Sequence, residues 1–80
     1  MANSIINKAE WDWDAKVWVA TTEDVAGFVA ESKSIEALQP KVIAVLADLI
    51  ELNGFDSDLA EIPVHIVANR TERIGNPKAA

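Results

Sequence analysis

The stretch SIEALQPKVIAVLADLIELNG, from Ser34 to Gly54, decides how the rest of this chain is read. Ser34 is a good helix N-cap, since its hydroxyl can accept an N–H of the first turn. Glu36 places negative charge in that turn, where the helix dipole favours it. Gly54 supplies a residue that readily adopts the left-handed conformation that stops a helix. The spacing between them predicts one helix ending at about Asn53. Pro40 lies beyond the free first turn, because its missing N–H would have bonded the Glu36 carbonyl. The pattern therefore predicts a kink there, or a separate first turn before the main helix.

At about 100° per residue, Leu52, Val45, Leu38, Leu49, Val42, Leu46, Ile50, Ile43 and Ala47 span an arc of roughly 220°, interrupted by Gln39 and Asn53. A helix lying on one sheet needs little more than ~100°. The excess is the edge carrying Ile43, Ala47 and Ile50. Either the loop at Phe55 to Leu59 folds back over that edge, or the edge is an interface between copies of the chain.

Upstream of the helix lie three short strand-like runs. Ser4 to Trp11 places Ile5, Ala9 and Trp11 on one face at period two. Asp12 to Lys16 is a polar interruption of hairpin length. Val17 to Thr21 is rich in β-branched and aromatic residues, which suits a strand. Thr22 to Gly27 reads as a loop, and Phe28 to Glu31 as a third strand. Short connections favour an antiparallel meander. Downstream, Phe55 to Glu61 is an acidic loop. Ile62 to Ala68 reads as a final strand, with Pro63 near its start, where a lost donor is tolerated. The predicted order is β-β-β-α-β, an α+β fold with an antiparallel sheet and one helix packed on one face. Residues 1–69 form the domain and residues 70–80 a flexible C-terminal tail.

The 80 residues suffice for one core, and 50% of them are apolar. With no cysteine, disulfides and thiolate metal sites are out of reach. Met1 to Lys8 is too short and polar for a signal peptide, and the longest apolar run, Val42 to Ala47, is far below the ~20 residues of a membrane helix. The expectation is a soluble cytoplasmic protein that does not meet membranes. The formal charge is −6 and uneven: residues 1–61 carry 12 acids against 4 bases, residues 62–80 carry 1 against 3. Such a body repels nucleic-acid phosphates and attracts a basic partner, unless the acidity serves only solubility.

Each candidate for chemistry has a plainer structural reading. Asp12 and Asp14 could ligate a hard cation, but a hairpin turn also favours Asp. His65 is the only histidine and has no second soft ligand, so it reads as a side chain on the more polar sheet face, beside Val67. No Ser or Cys sits in a recognisable nucleophile motif. The glycines at 27, 54 and 75 form no phosphate loop, and Arg70, Arg73 and Lys78 are too few for a nucleic-acid patch. Trp18 points away from Val17 and Val19. It is an exposed interface anchor if those valines face the helix, and buried if they do not.

The segments Trp13-Asp14-Ala15-Lys16-Val17-Trp18-Val19-Ala20, Glu23-Asp24-Val25-Ala26-Gly27 and Ser34-Ile35-Glu36-Ala37-Leu38 resemble the HicB-like antitoxin superfamily, closest to a bacterial branch of unknown function. The resemblance covers about residues 4–69. Asp24, Val25 and Gly27 match the family's Pro-Asp-Leu-Pro-Gly-like loop, with Glu23 and Ala26 in place of its prolines; Ser34 and Glu36 match its helix start. It implies a truncated ribonuclease-H-like β-β-β-α-β fold, dimerisation, and binding of a small basic RNA-cleaving toxin. After Ala68 only 12 residues remain, too few for the DNA-binding segment such antitoxins usually carry, so direct DNA binding is not expected.

The sequence thus points to a protein-binding domain that is not an enzyme, with no catalytic residue, metal or cofactor. Asp12, Trp13, Asp14, Trp18, Glu23 and Asp24 are the candidate partner-binding residues. Ile43, Ala47 and Ile50 are the candidate dimer interface. A stand-alone homodimeric structural or regulatory domain is the alternative. A residual nuclease would need several carboxylates converging on metal ions, and no such set is recognisable.

Overall fold

The computed structural model describes residues 3–79. β1 (Ile5–Asp12), β2 (Val17–Thr21) and β3 (Val29–Ser32) precede α1 (Ile35–Asn53), and β4 (Val64–Asn69) follows it. The fold is α+β, in the predicted order. The four strands form one sheet in the order β3-β2-β1-β4. β1–β2 and β2–β3 are antiparallel, whereas β4 runs parallel to β1, with Ile5 opposite Val64 and Glu10 opposite Asn69. The sheet is therefore mixed, not antiparallel throughout as the sequence suggested. The helix is the reason: it turns the chain round after β3, so the next strand runs the way β3 and β1 run.

Both helix ends follow their sequence signals. Ser34 Oγ accepts the Ala37 N–H at 3.1 Å, and the Gly54 N–H donates to the Ile50 carbonyl at 2.7 Å with Gly54 at φ 75°. The helix is continuous through Pro40, so the separate first turn does not form; Pro40 sits on the exposed side. Its buried stripe is Leu38, Val42 and Leu46, flanked by half-buried Val45, Leu49 and Ile50.

This stripe packs on the face carrying Ile5, Ala9, Ala20 and Ala30, with Phe28 beside it. Three alanines on the sheet let the helix approach closely, and the larger helix side chains fill the layer between them. Period-two alternation carries Asn7 inward with Ile5 and Ala9. Asn7 is fully buried, and neither its amide oxygen nor its nitrogen has a protein partner. The Trp11 indole Nε1 is likewise buried and unpartnered.

Candidate functional site

Alternation along the strands leaves one sheet face without a layer over it. Ile6, Lys8 and Glu10 of β1, Val19 and Thr21 of β2, Val29 and Glu31 of β3, and His65 and Val67 of β4 share this face. Ile6 is 48% exposed, Val29 59% and Val67 55%. Two acids, Glu10 and Glu31, lie among these apolar groups, and Lys8 and His65 complete the polar set. His65 stands beside Val67 on this face, as alternation predicted, and is exposed.

The candidate partner-binding residues do not converge. Asp12, Trp13 and Asp14 lie at the β1–β2 turn, while Glu23 and Asp24 lie in the β2–β3 loop at the opposite end of the sheet. Asp12 works within its own turn: Oδ1 accepts the N–H of Asp14 at 2.9 Å and of Ala15 at 3.1 Å. The Lys16 N–H donates to the Asp12 carbonyl at 2.8 Å and closes the four-residue connection, with Lys16 itself at φ 60°. Among the described residues no group of three or more His, Cys, Asp or Glu side chains is placed to hold a metal ion.

Trp18 lies on the helix side of the sheet, opposite Trp11, and packs half-buried against the core. The valines beside it face the open side, so of the two readings of Trp18 the structure takes the one that turns it toward the helix, and Trp18 is not an exposed anchor: its register is set by Ala20 and Ala30, which must face α1. Trp11, Trp13 and Trp18 instead form one aromatic cluster. Trp11 meets Trp18 edge-on at 5.6 Å between ring centres and Trp13 at 6.0 Å. The Arg70 guanidinium lies 4.6 Å from the Trp11 ring centre and 4.9 Å from that of Trp13, and Arg70 Nε pairs with Glu72 at 2.9 Å. The Lys16 ammonium lies 5.5 Å from the Trp13 ring centre. Sequence reading missed this cluster because Arg70 falls in the segment assigned to a loose tail.

At the other end, Asp24 and Thr22 tie the β2–β3 loop to β1. Asp24 Oδ2 accepts the Ile6 N–H at 2.8 Å, and Thr22 Oγ1 donates to the Ile6 carbonyl at 2.7 Å. Thr22 Oγ1 also accepts the Asp24 N–H at 3.1 Å. Between this loop and the end of α1 lies a cleft of about 610 Å³ lined by Asp24, Val25, Ala26, Asn53, Gly54, Phe55 and Asp56. Of the candidate dimer residues, Ile43 and Ala47 are exposed one helical turn apart, whereas Ile50 is partly covered and packs on the core. Phe55 packs on the core, but Leu59 stays exposed, and so do Ile43 and Ala47, so the following loop leaves that edge open. No helix is long and apolar enough to cross a membrane among the described residues.

Comparison with known proteins adds two findings. Residues 4–75 match a family described as a domain of unknown function, DUF1902. The chain also resembles the crystal structure of hypothetical protein TTHA1013 from the extremely thermophilic bacterium Thermus thermophilus, with 32% identity and a TM-score of 0.69, over 91% of this chain and 99% of that one. No curated protein matches the sequence.

Proposed function

Starting from a chain that belongs to the DUF1902 family, a family of unknown function, we propose that it is a non-catalytic protein-binding domain. The observation that carries this reading is the open sheet face, where Ile6 and Val67 stand exposed on adjacent strands and Val29 stands exposed on the edge strand beyond Lys8 and Thr21. A two-layer α+β domain normally leaves polar residues on its solvent face, and exposed aliphatic side chains on the adjacent strands β1 and β4 make a surface suited to covering by another protein. The acidic body, with 12 acids against 4 bases in residues 1–61, selects a basic protein for that role. The HicB-like resemblance of the hairpin, loop and helix start supports an antitoxin-like role, in which the partner is a small basic RNA-cleaving toxin. Glu10 and Glu31 on the open face, and Asp12 and Glu23 at its two ends, would meet the partner's cations.

The test is co-expression with a small basic protein encoded beside this chain. The expected result is a complex that copurifies, suppresses RNA cleavage by the partner, and weakens by about tenfold or more when Ile6 and Val67 are both changed to Glu. A basic neighbour that neither copurifies nor is inhibited, or a complex indifferent to both changes, overturns the reading.

A further inference from the structure

The end of the chain differs from its body in charge and in shape. Residues 70–80 hold Arg70, Arg73 and Lys78 against Glu72 alone, while residues 1–69 carry 12 acids against 4 bases. Ile74, in the middle of this basic segment, is 94% exposed. The radius of gyration is 15.9 Å and the long dimension 55 Å, whereas a compact chain of this length has a radius of about 12 Å. The base of the arm is fixed, because Arg70 stacks on Trp11 and Trp13. A basic arm with an apolar side chain thus leaves the body from a defined point.

The opposite end of the sheet offers the complement. The cleft beside the β2–β3 loop has half-buried Val25 and Phe55 in its wall and Asp24 and Asp56 among its lining. Its volume of about 610 Å³ is ample for a branched aliphatic side chain. The chain's own arm does not reach it. β4 ends opposite Glu10, and Asp24 is bonded to Ile6, so the cleft lies about five strand steps, or roughly 17 Å, from Arg70. Four residues from Arg70 to Ile74 span at most about 14 Å, before any lateral step across β1.

We infer that the arm docks on a second copy of this chain, with Ile74 entering between Val25 and Phe55 and Arg73 beside Asp24 and Asp56. The exchange is reciprocal, two arms in two clefts about a two-fold axis. This pairing stands apart from the open sheet face and does not depend on the toxin-binding reading. Burial of the Ile74 side chain supplies attraction, and charge opposition selects the orientation.

Sedimentation velocity on the full chain tests it, with Ile74→Asp on the arm and Ala26→Arg in the cleft. Both positions are exposed, so each variant should fold as the parent does by circular dichroism. The expected result is a dimer of the parent chain that weakens with added salt, dissociates about tenfold or more readily in either variant, and re-forms when the two variants are mixed. The mixture retains one good arm and one good cleft, a recovery that general damage to the fold would not give. A parent chain that stays monomeric at about 100 μM, a dimer unaffected by both changes, or a mixture that stays monomeric would overturn the inference.

Discussion

Ile5 and Ile6 are neighbours in β1 with the same side chain, yet they belong to opposite faces of the sheet. Ile5 is fully buried under α1, and Ile6 is half exposed on the face that nothing covers. The same division runs across the sheet: Ala9, Ala20 and Ala30 turn inward, while Lys8, Glu10, Thr21 and Val29 turn outward. The difference shows that register, fixed by the strand as a whole, decides burial here, and that individual residues follow it. A strand cannot turn one side chain without turning the rest. Asn7 is therefore drawn into the core between Ile5 and Ala9 although its amide finds no protein partner there, and Ile6, Val29 and Val67 are left in water although they are apolar. The covered face holds one group too polar for it, and the open face holds several too apolar.

The largest effect expected from this contrast is at Ile5. Truncation to Ala deletes a fully buried side chain and leaves a cavity under α1, which costs about 2–5 kcal/mol. A domain of this size has a total stability on the order of 5–10 kcal/mol, so the Ile5→Ala urea midpoint should fall steeply and the chain should be partly unfolded near 37 °C. The next effect has the opposite sign. Asn7→Leu keeps the branched shape and removes two buried polar atoms that lack partners, so it should raise stability by about 1–3 kcal/mol in the same urea titration. If Asn7→Leu destabilises instead, the amide is doing something a leucine cannot, and the picture of a polar group carried in by register alone breaks.

How much of this was legible beforehand depended on whether the signal was local. Ser34, Gly54 and the apolar spacing between them gave the helix, and both end contacts are present. Period two alone puts Ile5, Ala9 and Trp11 on one face, because it needs no knowledge of partners, and they share that face in the sheet. The parallel pairing of β4 with β1 was not read, since it depends on where the helix returns the chain and no residue in β4 records its neighbour. Trp18 was undetermined for the same reason: alternation says that it opposes Val17 and Val19, but only the docking of α1 on Ala20 and Ala30 says which side is inside. The candidate site fared less well. Acidity and proximity in sequence grouped Asp12 and Asp14 with Glu23 and Asp24, and the antiparallel β1–β2 pair then set them at opposite ends. The arm's Arg70 on the tryptophans spans most of the chain, beyond the reach of any local pattern.

The smallest effect expected is at Ile6, and it is the most informative of the three. Ile6→Thr keeps a β-branched side chain suited to a strand and trades a half-exposed ethyl group for a hydroxyl. Measured on dilute monomer, the change should move stability by no more than about 0.5 kcal/mol, because water already reaches the site. The same measurement with the basic partner present should give a different answer. A surface covered in the bound state stabilises the fold by mass action, and Ile6→Thr weakens that coverage, so the parent's melting temperature should rise with concentration of the covering protein more than the variant's does. A variant that loses several kcal/mol even when dilute would mean that Ile6 is buried in the isolated domain, and the contrast with Ile5 would collapse. A variant matching the parent at every concentration would leave the open face as a bare surface with no occupant. Only divergence that grows with concentration is consistent with a face kept apolar for another protein.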